Sequence, residues 1–276
     1  MYLIGKMKFL TWKIFCCFFV NTRDAAIVLA KTIAGDMETF AYKMNEYASM
    51  IGMKNTKFIN AHGLEDKEGN GNISTAYDMA LLTKYAMQNK TFQEIFSTKK
   101  YKAKSSYKTY VWTNKNKLLH QLEYITGGKT GFTKKARRTL VTTAKKDNVS
   151  LVAVTLNAPN DFHDHQIMYE NIFDKYQAYL VLNKDNFQVK KDKIYQDNEL
   201  YIKHNYYATL QKDEVNDIEI KYQLYKDGNF NDGDVVGRSL VYLKDELLHE
   251  EDIYLKKETD EKLNWWEKVI GWFKKW

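Results

Sequence analysis

The stretch Gly127-Gly128-Lys129-Thr130-Gly131-Phe132-Thr133 sits between two runs, 108–113 and 138–144, whose β-branched and aromatic content reads as strand. A Lys-Thr-Gly on a strand edge is equipped to hold a carboxylate. The Lys129 ammonium attracts the anion and the Thr130 hydroxyl hydrogen-bonds it. Gly131 has no Cβ, so a peptide-like ligand can approach the backbone closely. Three residues in a lysine-rich chain are weak evidence alone, so the phrases on either side decide the reading.

Those phrases come in order. Asp24-Ala25-Ala26-Ile27-Val28-Leu29-Ala30 reads as a helix, and Met44-Asn45, Gly52-Met53-Lys54-Asn55-Thr56 and His62-Gly63-Leu64 follow it. Ser74-Thr75-Ala76-Tyr77-Asp78-Met79-Ala80 reads as a helix start. Thr113-Asn114-Lys115-Asn116-Lys117-Leu118-Leu119, the Lys-Thr-Gly segment and Arg138-Thr139-Leu140-Val141 complete the series. Together they resemble the low-molecular-weight penicillin-binding proteins, the serine-type D-alanyl-D-alanine carboxypeptidases, from Asp24 to the C-terminus. The resemblance implies an enzyme that cleaves the terminal D-alanine of peptidoglycan stem peptides through an acyl-serine intermediate, and that β-lactams trap. It assigns Lys129, Thr130 and Gly131 to substrate binding and implies no cofactor.

Two of the family's three chemical clusters are not matched. A Ser-x-x-Lys turn should supply the nucleophile, with its lysine one helical turn away to accept the proton. The residues before Asp24 contain no serine. The family's Ser-x-Asn falls on Asn21-Thr22-Arg23, where Asn21 cannot shuttle a hydroxyl proton and Arg23 offers donors only. Ser-x-x-Lys strings do occur at Ser97 to Lys100 and Ser105 to Lys108, in what reads as loop or strand, where i and i+3 share no face. They are read as solvated polar residues, so no catalytic residue is assigned. The expectation is a truncated, catalytically impaired homologue. The alternatives are a non-catalytic cell-wall binding protein and a gene remnant.

Composition narrows the class. With 276 residues and 44% hydrophobic content the chain can bury a substantial core. A single proline and 13 glycines argue against a disordered or collagenous chain. The net charge of +7 suits work beside anionic cell-wall polymers or lipid head groups. Lysines spread along the chain, without a basic recognition helix or finger spacing, argue against nucleic acid. Cys16 and Cys17, adjacent, are the only cysteines, so from Phe18 onward the chain has none, which is compatible with export. His163 and His165, two apart on a helix, face different ways, so no metal site is expected. His62 is read as a turn or packing residue.

The organisation expected is α+β: a truncated penicillin-recognising domain of helices plus antiparallel sheet, then a small all-β domain and an amphipathic helix. Residues 1–23 read as a segment foreign to the family domain, apolar at 9–20 but interrupted by Lys13 and lacking a small-x-small cleavage site. The catalytic-type domain spans 24–179, with core stripes Ala26, Leu29, Ala30, Ile33 and Phe40, Met44, Tyr47, Ile51, ending at Gly35 and Gly52. A third helix runs from the Thr75 cap to about Asn89. Strands are expected at 108–113, 118–125, 138–145 and, across an Asp147-Asn148 turn, 149–156. A helix follows at 161–177. The β-rich domain spans 180–257, with strands at 217–225 and 235–243 and turns at Asp227-Gly228 and Asp232-Gly233, and the stretch 237–245 resembles the closing strand of the family's small β-rich domain. In 258–276, Trp265, Trp266, Ile270, Trp272, Phe273 and Trp276, framed by lysines, form an indole-rich stripe suited to a membrane surface. The location implied is the extracytoplasmic face of the bacterial membrane.

Overall fold

The computed structural model describes residues 23–104 and 107–257. The chain divides into two compact units that meet between Asp174 and Lys175. Helix α1 (Arg23–Ala34) begins the first, with Asp24 in its positively polarised first turn. It stops at Gly35, whose φ of 88° lets its N–H turn back to the Lys31 carbonyl. Helix α2 (Met37–Met50) starts on the Asp36 side chain, which accepts the Thr39 N–H at 2.7 Å and is thereby held below the usual carboxylate range.

The buried faces of these helices are narrower than the apolar stripes suggest. Ala25, Ala30, Ala41 and Ala48 are buried, whereas Ile33 and Tyr47 are 56% and 58% exposed. Asn45 explains the rotation of α2. Its amide exchanges hydrogen bonds with the backbone of Phe58 (2.7 and 2.8 Å), which seats the following loop over the alanine face.

Helix α3 (Ala76–Ala86) opens on Thr75, as its sequence predicts, and the Thr75 hydroxyl accepts the Asp78 N–H. It ends earlier than expected. Asn89 caps a separate helix, α4 (Lys90–Ser97), so Ser97 is the last residue of a helix rather than part of a loop. Strands β1 (Lys100–Lys104) and β2 (Thr109–Thr113) form an antiparallel hairpin that pairs with no other strand among the described residues.

The strand expected at 118–125 is instead a helical turn, α5 (Leu118–Gln121), followed by β3 (Ile125–Thr133). Leu118 and Leu119 are both buried, which consecutive residues of a one-sided strand cannot be. Asn116 fixes the turn by accepting the Leu118 N–H. Strand β3 pairs antiparallel with β4 (Arg137–Lys146), and β4 with β5 (Val149–Leu156). Asp147 and Asn148, both at positive φ, make the tight turn between them. Helix α6 (Asp161–Lys175) covers one face of this sheet, and its core joins Leu118, Leu119, Ile125, Ala144, Ala153 and Tyr169. The helix ends at Lys175 rather than 177, because Tyr176 already pairs with Gln211.

The second unit is all-β. Strand β6 (Tyr176–Leu182) pairs with β8 (Tyr206–Gln211), and a four-stranded antiparallel sheet has the order β7 (Asn198–Tyr201), β11 (Glu246–Lys257), β10 (Val235–Leu243), β9 (Ile218–Leu224). Its core holds Leu182, Tyr195, Leu200, Val236, Val241 and Ile253. The segment 237–245 does not close the unit among the described residues. β11 does, lying between β10 and β7. The polar run His249-Glu250-Glu251-Asp252 hides this strand in the sequence, although Glu251, Ile253 and Leu255 alternate into the interior.

Candidate functional site

Strand β3 is an edge of its sheet: among the described residues only β4 pairs with it. Space constrains its glycines, Gly127 and Gly128 most. A Cβ on Gly127 would lie 2.3 Å from the Phe96 ring of α4, and one on Gly128 would lie 2.2 Å from the Asn116 Nδ2. One on Gly131 would lie 2.4 Å from the Thr139 hydroxyl. Such approaches are below any real Cβ contact, so this strand must be smooth on both faces. Asn116 is fully buried. It takes its position from the Asn114 side chain and reaches the Gly127 carbonyl, so the Asn-x-Asn of the 114–116 phrase acts as the underside of the site.

The structure brings Lys129, Thr130 and Gly131 together as consecutive residues of β3, opposite Val141, Leu140 and Thr139 of β4. Lys129 and Thr130 are half-buried, and the Lys129 ammonium hydrogen-bonds the Thr130 carbonyl. The cation is therefore held against the strand instead of extending into solvent. Alternation along β3 puts Lys129 on the Gly127 and Gly131 side, the face that meets α4, and Thr130 on the Gly128 side.

Behind that side lies a closed polar network. Thr142 Oγ1 is 2.7 Å from His165 Nδ1 and 2.8 Å from the Tyr169 hydroxyl, while Thr155 Oγ1 is 3.0 Å from His165 Nε2. Tyr169 donates to the Thr142 carbonyl and accepts the Ala153 N–H. One arrangement of protons satisfies every group: a neutral imidazole donates from Nδ1 to Thr142 and accepts from Thr155. Burial drives this, lowering His165 to about 4 against the weaker opposing pull of Asp161 and Asp164. Arg138 adds an ion pair to the buried Asp161 at the start of α6 (2.6 Å).

Beyond the β3–β4 turn lies a cleft of about 1350 Å³, walled by the loop 57–74. Thr133 donates to Glu65 at 3.1 Å and the Lys135 ammonium to the Gly69 carbonyl at 2.8 Å, so the hairpin turn and the loop are latched. Asparagines build the loop. Asn60 accepts the N–H groups of His62 and Gly63, and Asn72 those of Ile59 and Asn60. The buried Asp78 carboxylate takes the Asn55 N–H and the Thr56 hydroxyl. His62 lines the cleft and accepts the Leu64 N–H. Burial, and then the charge of Arg23, hold it below the ordinary histidine value.

Sequence reasoning missed Arg23 and Lys135 as cleft residues. Their only signal was charge beside a family phrase. The Ser97 hydroxyl is turned back onto the Glu94 carbonyl, and Lys100 already lies in β1. Ser105, Asn21, Thr22 and the tail residues Trp265, Trp266, Ile270, Trp272, Phe273 and Trp276 lie outside the described residues. Among the described residues no helix is long and apolar enough to cross a membrane.

Residues 17–160 match the family described as D-alanyl-D-alanine carboxypeptidase, and residues 176–261 match the C-terminal domain of penicillin-binding protein 5. The carboxypeptidase DacF of Bacillus subtilis is 30% identical over 248 residues, 85% of this chain and 62% of that protein. DacC of Escherichia coli is 37% identical over 139 residues, 50% of this chain and 33% of its own. In structure, penicillin-binding protein 5 of Haemophilus influenzae covers 85% of the chain and 70% of its own at a TM-score of 0.63 and 24% identity. A peptidoglycan synthesis regulatory factor (PBP3) of Streptococcus pneumoniae covers 90% and 77% at a TM-score of 0.72 and 18% identity. The chain spans 62% and 58% of two of the curated relatives that it resembles along most of its length, DacF and DacA of Haemophilus influenzae.

Proposed function

The chain belongs to the D-alanyl-D-alanine carboxypeptidase family, and we propose that it recognises peptidoglycan stem peptides ending in D-Ala-D-Ala, on the open edge of β3. The observation that carries the reading is an edge strand with a cation, a hydroxyl and a Cβ-free residue in succession. An extended peptide can add to β3 as a further strand through main-chain hydrogen bonds. Its terminal carboxylate then meets the Lys129 ammonium at the strand edge, and Gly131, on the same side of the strand, leaves room for its backbone. The Thr130 hydroxyl, on the opposite side, is proposed to reach the same edge from behind. β-Lactams, which carry a carboxylate beside an amide, fit the same edge.

Recognition is proposed without acyl transfer by residues 23–257. Of the described serines only Ser97 has a lysine three residues on, and the helix end separates the two side chains. Family membership favours a second reading, a working serine-type carboxypeptidase. Intact-mass spectra after exposure to excess benzylpenicillin separate the two. The binding reading predicts no adduct on a folded sample, whereas a stable adduct establishes a nucleophile and the enzyme reading. A sample without a cooperative melting transition would support a gene remnant instead. We further propose an extracytoplasmic site of action, with the indole-rich tail holding the protein to the membrane surface. Co-sedimentation with anionic vesicles should then be lost when the chain is ended at Lys257, and retention would refute the tail's role.

A further inference from the structure

From Ile95 to Leu122 the chain contains Lys99, Lys100, Lys102, Lys104, Lys108, Lys115 and Lys117 and no aspartate or glutamate. The β1–β2 hairpin sorts part of this charge by face. Tyr101 pairs with Trp112 and Ala103 with Tyr110, so these four share one side. The rings stack, Tyr101 on Trp112 at 6.1 Å and Tyr110 on Trp112 at 5.8 Å, and Ala103 beneath them is buried. The other side pairs Lys100, Lys102 and Lys104 with Thr113, Val111 and Thr109, and all six are exposed. None of the three lysines makes an ion pair with a described residue.

A single solvated lysine needs no explanation. A row of three along a strand, with no acid in the flanking sequence, is a field of one sign with a direction. Successive lysines on one strand face leave the backbone about 6.6 Å apart. The row is therefore matched by a linear anion with regularly repeating charge better than by a compact ligand.

We propose that the outer face of the β1–β2 hairpin is a docking surface for a linear phosphodiester-type polyanion. Lys100, Lys102 and Lys104 track successive phosphates, and the small threonines beside them allow close approach. Charge complementarity carries the assignment. The surface is distinct from the β3 edge and would hold the protein beside an anionic polymer while β3 engages a peptide.

The test is binding of the full chain to fluorescently labelled poly(glycerol phosphate), a linear phosphodiester polymer, followed across salt concentrations by fluorescence anisotropy. The triple change Lys100→Gln, Lys102→Gln, Lys104→Gln should weaken binding at least tenfold and lower the slope of log K against log salt by about two. The arginine triple at the same positions should keep binding, which separates lost charge from lost folding. A control with Lys31, Lys43 and Lys54 changed to glutamine has the same net charge and should bind like the parent. An equal loss in the control would show a diffuse charge effect and overturn the proposal. So would binding of the parent to anionic vesicles but not to poly(glycerol phosphate), which would make the face a membrane contact.

Discussion

The two faces of the β3–β4–β5 sheet solve different problems. Toward α6 the polar groups of Thr142, His165 and Tyr169 are all committed, and the Tyr124 hydroxyl alone of this cluster is buried without a hydrogen-bond partner among the described residues. Leu140, Thr142 and Ala144 are buried, His165 and Tyr169 close the polar circuit, and Tyr124, Tyr169 and Phe173 pack ring against ring at 5.5 to 6.2 Å. Toward α3 and α4 the sheet presents Gly127 beneath Phe96, the Thr126–Thr143 hydroxyl pair, and an apolar-walled cavity of about 920 Å³ lined by Tyr77, Leu81, Met87 and Val152. Lys129 belongs to this second face. The contrast shows what the glycine-rich strand is for: a tightly packed back fixes β3 so that its front and edge can remain open.

Gly128→Ala attacks the packed face most directly. Its Cβ would meet Asn116 and Thr142 at once, which should cost about 3 kcal/mol, the upper end for overpacking. Thermal melts should show this loss, and combining it with Asn116→Ala should destabilise less than the sum of the two single changes. Strict additivity would mean that the two residues do not share the space described.

Acid should loosen the same face nearly as much. The unfolded His165 binds a proton near its ordinary value of 6.5, but the folded one only near 4. The unfolded chain therefore holds more protons between those values. Stability is complete above about pH 6.5, falls as the pH is lowered, and levels off below about pH 4, for a loss of about 3 kcal/mol. Denaturant titrations across that window should show the slope in the parent and a shallower one in His165→Leu. Identical slopes would place the titration elsewhere.

The open face should respond least in stability and most in binding. In Gly131→Ala the new methyl meets only the Thr139 hydroxyl, which can turn away, so a loss below about 1 kcal/mol is expected. Peptide binding should nevertheless fall, because the methyl stands where the ligand backbone approaches. A variant that binds like the parent would remove Gly131 from the site.

The packed face is the harder of the two to read in the sequence. Lys129-Thr130-Gly131 can be proposed as a carboxylate site from three adjacent residue types alone, and that role is what the binding experiments test. The α5 turn was not, since Leu118 and Leu119 suit either a strand or a helix and only the buried Asn116 decides between them. The His165 circuit was invisible because its partners Thr142 and Thr155 lie on β4 and β5, and only the packing of the helix on that sheet brings them to both ring nitrogens. β11 was missed for a local reason, a run of polar residues that masks a regular alternation.

The central claim is that β3 binds a carboxylate-terminated peptide along its free edge. Amide chemical shifts of the labelled full chain, followed while a tripeptide ending in D-Ala-D-Ala is added, test it most directly. The account predicts saturable shifts concentrated in 127–133. In Lys129→Ala, affinity should fall about tenfold to a hundredfold for the lost charge-assisted contact, with the fold intact. Shifts scattered away from β3, or an unchanged affinity in Lys129→Ala, would contradict it.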